Sequence, residues 1–212
     1  MIKIKRFVFN PFQENTYLLY DETGEAVIID PGCATKPEED ELVEFIKENN
    51  IELKHLLNTH SHIDHILGNR FVSEQFNLPL ESHKEDEFLI KRAEDQAAVF
   101  GVKIEEPPLP GKYLDEGMHI RFGNSVLDMV HTPGHSPGSL VFYNQKEKFM
   151  IVGDVLFNHS IGRTDLPGGN YDVLIDSITR KLFPLGDDME VFSGHGAPTT
   201  IGQERISNPF LS

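Results

Sequence analysis

Residues 2 to 9 and 15 to 20 carry the apolar and β-branched bias of strands, and Asn10-Pro11 breaks one from the other. Asp21-Glu22-Thr23-Gly24 then reads as a hairpin turn. The next run, Ala26-Val27-Ile28-Ile29, lacks polar alternation, which predicts a strand buried on both faces and ending at Asp30-Pro31-Gly32. From Pro37 to Glu48, Leu42, Val43, Phe45 and Ile46 form a helical stripe, with Pro37 suited to the first turn. A strand is expected at His55-Leu56-Leu57-Asn58, a helix over Ile66 to Val72, a short strand over Leu78 to His83 and one charged surface helix over Glu85 to Val99. Alternating strands and helices favour layered α/β packing over an all-β barrel.

The three prolines between Ile104 and Gly111 exclude regular helix and predict a connecting loop. Four strand-like runs follow at short intervals: Met118–Phe122, Val126–Val130, Ser139–Tyr143 and Phe149–Val152. Tyr171 to Phe183 has helical spacing, Glu190-Val191-Phe192-Ser193 is a short strand, and Ile201 to Ser207 a last helical turn or two.

A chain of 212 residues fits one large domain or two small ones, with 39% hydrophobic and 25% charged residues, ordinary values for a globular protein. No apolar run approaches the roughly 20 residues that span a bilayer, and Met1-Ile2-Lys3-Ile4-Lys5 alternates where a signal peptide would have an apolar core. A cytoplasmic location without membrane association is the expectation. The formal charge of -15 argues against nucleic-acid partners, which need Lys and Arg to neutralise phosphate. Cys33 is the only cysteine, so no internal disulfide and no cysteine-rich metal cluster can form.

The chemistry is concentrated in Thr59-His60-Ser61-His62-Ile63-Asp64-His65, which follows a strand. Imidazole and carboxylate suit the same cations, and a turn has no backbone reason to collect histidines. In an extended segment His60, His62 and Asp64 would face one cleft; His65 breaks the alternation, so Asp64 and His65 are expected at the entry of the helix that follows, with a changed direction. One tetrahedral centre would use at most three of these side chains plus water; two adjacent centres could use all four.

Further candidates stand in loops that leave strands. His135 lies in the rigid His131-Thr132-Pro133-Gly134-His135-Ser136-Pro137-Gly138, Asp154 follows Gly153, and His195 stands between Gly194 and Gly196. A buried Asp154 without a basic partner would be costly unless it coordinates a metal. Asp30, at its own strand exit, is either a turn former or an acceptor that orients a ligand histidine through the other ring nitrogen. His55, His83, His119 and His159 lack such company, and His131 is read as a packing residue.

Taken in order, Thr59-His60-Ser61-His62-Ile63-Asp64-His65, His131-Thr132-Pro133-Gly134-His135, Val152-Gly153-Asp154 and Ser193-Gly194-His195-Gly196 resemble the motifs of the metallo-β-lactamase superfamily, and Ile29-Asp30-Pro31-Gly32 matches as well. The resemblance implies an α/β (α+β) fold, a four-layer αββα sandwich of two mixed sheets with helices on the outer faces. It would form a single domain over 1–212. It implies His60, His62 and His135 on a first metal, Asp64, His65 and His195 on a second, and Asp154 bridging. Two divalent ions are then the expected cofactor, zinc first, with iron or manganese as alternatives. Lactamases that use a cysteine on the second metal differ here, since Cys33 precedes the motif, so drug hydrolysis is not expected as the main activity.

Gly153-Asp154-Val155-Leu156-Phe157 followed by Gly162-Arg163-Thr164-Asp165 resembles the glyoxalase II group, the hydroxyacylglutathione hydrolases, in a short form without their C-terminal helical glutathione-binding domain. The implied reaction is hydrolysis of a small-molecule thioester, such as a glutathione thioester, by a hydroxide that bridges the metals, with Asp64 aiming it. Arg163 is the candidate for a substrate carboxylate, against its reading as a surface arginine paired with Asp165. The rival is a mononuclear iron persulfide dioxygenase, with His60, His135 and Asp154 as its facial triad. A lactonase, a phosphodiesterase and a non-catalytic metal-binding module rank below both.

Overall fold

Chain order is kept across the first sheet of the computed structural model, which describes residues 1–211. The strands β1 (Lys3–Phe9), β2 (Glu14–Tyr20), β3 (Glu25–Ile29), β4 (Glu52–Leu57), β5 (Leu80–His83) and β6 (Lys112–Leu114) lie side by side, antiparallel from β1 to β3 and parallel from β3 to β6. The second sheet runs β14-β13-β10-β9-β8-β7, built from β7 (His119–Phe122), β8 (Ser125–His131), β9 (Leu140–Asn144), β10 (Phe149–Gly153), β13 (Glu190–Ser193) and β14 (Thr199–Thr200). A small ribbon of β11 (Leu156–Phe157) and β12 (Ser160–Ile161) sits between β10 and β13 in sequence.

The alternation of side chains explains the layers. On β3, Val27 and Ile29 join Tyr17, Leu57, Phe122, Met129, Phe142 and Ile151 in a core between the sheets. Ala26 and Ile28 point the other way, into a core with Leu42, Ile46 and Val72 from α1 (Lys36–Glu48) and α3 (Asn69–Phe76). This strand is therefore buried on both faces, as its unbroken apolar run predicts. On the far side, Val141, Met150 and Val152 of the second sheet pack against Leu174 of α6 (Tyr171–Ser177) and Ile201 of α7 (Ile201–Ser207). The result is the four-layer αββα sandwich. No helix is long and apolar enough to cross a membrane among the described residues.

Several elements depart from the periodicity reading. The helix expected over Ile66 to Val72 is two pieces, α2 (Ile63–Ile66) and α3, with Gly68 between them. A side chain there would reach within 2.4 Å of Cys33 Sγ and 2.8 Å of the Pro31 carbonyl, so the break lets the chain pass close to the Asp30-Pro31-Gly32 turn. Glu85 to Val99 is not one surface helix either. A 3-10 turn at Lys84–Asp86 leads into α4 (Glu87–Ile90), and α5 (Ala93–Phe100) begins after a break at Lys91-Arg92. The cause is Asp86, which is fully buried and turned towards the loops described below. Tyr171 to Phe183 stays helical, but changes from α6 to a π-helical turn at Ile178–Leu182.

Candidate metal centre

The parallel strand β4 ends at Leu57, and the chain then crosses the sheet edge as an extended segment. His60 and His62 point inward from it. Asp64 does not continue the extended alternation, because the chain has already turned into α2; it reaches the cleft from the first helical turn, beside His65. From the second sheet, the β8–β9 loop brings His135, the residue after β10 brings Asp154, and the residues after β13 bring His195.

Two donor sets result. In the first, His62 Nδ1 lies 2.8 Å from His135 Nε2, which is 3.2 Å from His60 Nε2. The rings of His62 and His135 stand at 88° to one another, so three lone pairs converge without stacking. In the second, Asp64 Oδ2 is 3.0 Å from His195 Nε2 and 3.5 Å from His65 Nε2. Asp154 spans both: Oδ1 lies 3.4 Å from His65 Nε2, and Oδ2 lies 3.7 Å from both His135 Nε2 and His195 Nε2. All seven sequence candidates thus come together, and five of them, His62, Asp64, His135, Asp154 and His195, line a cleft of about 240 Å³.

In four of the five histidines the opposite ring nitrogen is tied to an oxygen acceptor, which fixes the tautomer and turns the free lone pair inward. His135 Nδ1 donates to the Arg163 carbonyl at 2.8 Å, His195 Nδ1 to the Phe12 carbonyl at 3.2 Å, and His65 Nδ1 to Asp30 Oδ2 at 3.0 Å. His60 Nδ1 meets Thr59 Oγ1 at 3.0 Å, and that hydroxyl donates to Asp30 Oδ2 at 2.5 Å. Asp30 also accepts the Thr59 N–H at 2.7 Å and the Asn58 amide at 3.2 Å, so its oxygens are already engaged on the outer side of the histidines. It holds a left-handed φ of +50° to do so.

Burial and charge separate the two sets. Burial pushes the His62 imidazole down to about 3, and lowers His60 and His135 as well, helped at His60 by the neighbouring His65 and His135. Burial also opposes charging of His65 and His195, yet the carboxylates of Asp64 and Asp154 overcome it and raise both. The same pairing holds Asp64 and Asp154 below the ordinary carboxylate range in spite of their burial. Three buried atoms that face the cleft, or its wall, have no hydrogen-bond partner: His62 Nε2, His65 Nε2 and Asp154 Oδ1. An unpaired buried carboxylate oxygen next to an unpaired imidazole nitrogen is what a cation pair would satisfy, and the mixed nitrogen and oxygen donors suit zinc, iron or manganese.

Arg163 lines the cleft, but its guanidinium forks onto Asp165, with Nε–Oδ1 and Nη2–Oδ2 both at 2.7 Å. A substrate carboxylate would have to compete with that pair. Residues that the sequence reading passed over hold the loops. Asp86 accepts from Ser61 N at 3.1 Å, Ser136 Oγ at 2.7 Å and Gly138 N at 2.6 Å, joining the His60–His62 segment to the His135 loop. Asn15 donates to the Ser193 carbonyl at 2.9 Å and Tyr17 to the same carbonyl at 2.6 Å, which anchors the His195 loop to the first sheet. His131 stacks on His83 at 4.2 Å, outside the cleft.

A profile described as the metallo-beta-lactamase superfamily matches residues 9–195. A Haemophilus influenzae protein named hydroxyacylglutathione hydrolase GloC is 40% identical over 203 residues, 95% of this chain and 94% of that one. Among solved structures, the BLEG-1 B3 metallo-beta-lactamase superposes with a TM-score of 0.90 at 37% identity, covering 99% of this chain and 100% of its own. TTHA1623 in a di-iron-bound form gives 0.88 at 38%, covering 98% and 100%.

Proposed function

This chain belongs to the metallo-β-lactamase superfamily, and from that premise we propose that it is a binuclear metal hydrolase, acting in the cytoplasm on a small thioester of the hydroxyacylglutathione type. The observation that carries the reading is the pair of complete donor sets joined by Asp154. His60, His62 and His135 would hold one ion, Asp64, His65 and His195 the other, with Asp154 between them. When bound, such ions supply Lewis-acid polarisation of a carbonyl and a water that loses its proton near neutral pH.

The chain's own groups have separable tasks. His60, His62 and His135 are kept neutral by burial, so their lone pairs are available at neutral pH. Asp64 remains ionised and takes a hydrogen bond from the attacking water, which aims its lone pair at the thioester carbon. A thiolate is a good leaving group, so the reaction needs no dedicated general acid. Arg163 draws a substrate carboxylate to the rim when it exchanges Asp165 for it.

The test is a single purified sample: its metals counted by elemental analysis, and its activity measured on lactoylglutathione, glutathione persulfide and a β-lactam. Two ions per chain with thioester cleavage support the proposal. One iron with oxygen uptake on the persulfide would establish the dioxygenase instead, and β-lactam cleavage with no thioester cleavage would also overturn it.

A further inference from the structure

A second cavity of about 180 Å³ opens beside the metal cleft. His62, Gln96, Phe100 and Leu166 line both spaces, so the two are continuous on the side of the first donor set. Its remaining walls are Phe88 and Leu89 of α4, Val99 of α5 and Pro167 of the loop after Arg163, with the exposed ion pair Arg92–Asp95 beside them. Val99 is 79% exposed and Phe100 40% exposed, an outlay of apolar surface at a cleft rim that has no packing role in the core.

Two of the polar side chains on this annex are held by protein partners. Gln96 Nε2 donates to the carbonyls of Leu89 at 2.9 Å and Ser61 at 3.3 Å, and Arg92 Nε pairs with Asp95 Oδ2 at 3.3 Å. What fits the space is therefore an apolar group, held without charge recognition. A thioester placed with its carbonyl at the first donor set has two arms. The carrier thiol of a glutathione-type substrate is polar and charged, and Arg163 offers it the only cationic side chain on the cleft wall. The arm left for the annex is the acyl chain.

We infer that the annex is an acyl-chain subsite, and that the preferred substrates carry acyl chains of four to six carbons, over acetyl or lactoyl. The inference rests on the thioesterase reading above. Each methylene that enters the annex leaves water, which raises kcat/KM by about fourfold.

The experiment compares acetyl-, butanoyl- and hexanoyl-glutathione on the metal-loaded enzyme, with Val99→Trp as a variant that fills the rim from an exposed position. The expected result is a kcat/KM that climbs about fourfold per methylene, and a hexanoyl-to-acetyl ratio that falls at least tenfold in Val99→Trp. In parallel, hexanoate should give saturable methyl NMR shifts at Leu89, Val99 and Leu166 that acetate does not. Cleavage of all three thioesters at equal kcat/KM, or hexanoate shifts absent from those methyls, would overturn the subsite and leave the thioesterase standing. Cleavage of lactoylglutathione alone would likewise overturn the subsite and leave the thioesterase standing, whereas cleavage of none of the three and not of lactoylglutathione would overturn the thioesterase reading itself, whatever the methyl shifts show.

Discussion

Asp86 Oδ2 accepts the backbone N–H of Ser61 at 3.1 Å, and Ser61 is the residue between His60 and His62. The same carboxylate accepts from Ser136 and Gly138 on the His135 loop, so one side chain sets the distance between the two halves of the first donor set. Asp86→Ala leaves these buried donors unpaired and is expected to cost about 2–4 kcal/mol of stability, read by urea unfolding. Burial pushes the Asp86 carboxyl up to about 6 against those donors. A folded-state value above the unfolded one means that the folded chain binds this proton more tightly. The associated stability is present in full below about pH 4 and lost as pH rises through about 6. Asp86→Asn should flatten that part of the metal-free stability profile.

Metal loading should show two pH dependences. His60, His62 and His135 are lowered, so filling the first set should displace fewer histidine protons than filling the second. His65 and His195 are raised by Asp64 and Asp154 and must give up protons before they bind. Affinity for the second ion should rise by about tenfold per pH unit for each proton displaced, and calorimetry in buffers of different ionisation heat counts those protons. Equal proton release for both ions would contradict this separation.

Asp30 touches the outer nitrogen of His65 and, through Thr59 Oγ1, that of His60. Asp30→Asn keeps the shape and removes the acceptor charge. Metal affinity is expected to fall about 10–100-fold, measured by competition with a chelator. A loss of folding without any change in affinity would assign Asp30 to the turn alone.

Gly194 offers a steric test. A Cβ there would lie 2.2 Å from Asp154 Oδ1 and 2.6 Å from His65 Cε1. Gly194→Ala should therefore displace the Asp154 carboxylate and lower kcat by at least about tenfold through mispositioned donors. An unchanged kcat would show that Asp154 relaxes without cost.

Arg163 and Asp165 form a competing pair on the rim. Arg163→Ala should raise KM more than it lowers kcat, while Asp165→Asn should lower KM by freeing the guanidinium. If both variants keep the parent constants, the arginine is a surface residue only. The pair is more than half exposed, so its loss should barely change stability.

The layers were legible because strands buried on one or two faces leave a period in the chain, and β3 shows it without a polar break. The donor residues were legible as chemistry out of place: histidines in turns, and Asp154 at the end of an apolar strand. Asp64 and His65 were legible as residues of a helix entry, because the alternation of His60 and His62 breaks there, and α2 delivers both to the cleft. Asp86 was invisible because a carboxylate among Lys84, Glu85 and Glu87 has the look of a solvated helix face, and only partners distant in sequence turn it inward. The strands β6, β11, β12 and β14 span two or three residues each, too few for a period to register.

Cys33 is sealed beneath Gly68 with 1% of its surface open, and burial raises its thiol well above the ordinary range. If the proposed thioester hydrolysis holds, the protein meets activated acyl groups that could be passed onto its own nucleophiles. Here the one sulfur able to accept such a group is kept protonated and out of reach, so the protein should survive long turnover, and exposure to alkylating reagents, without self-modification at that position.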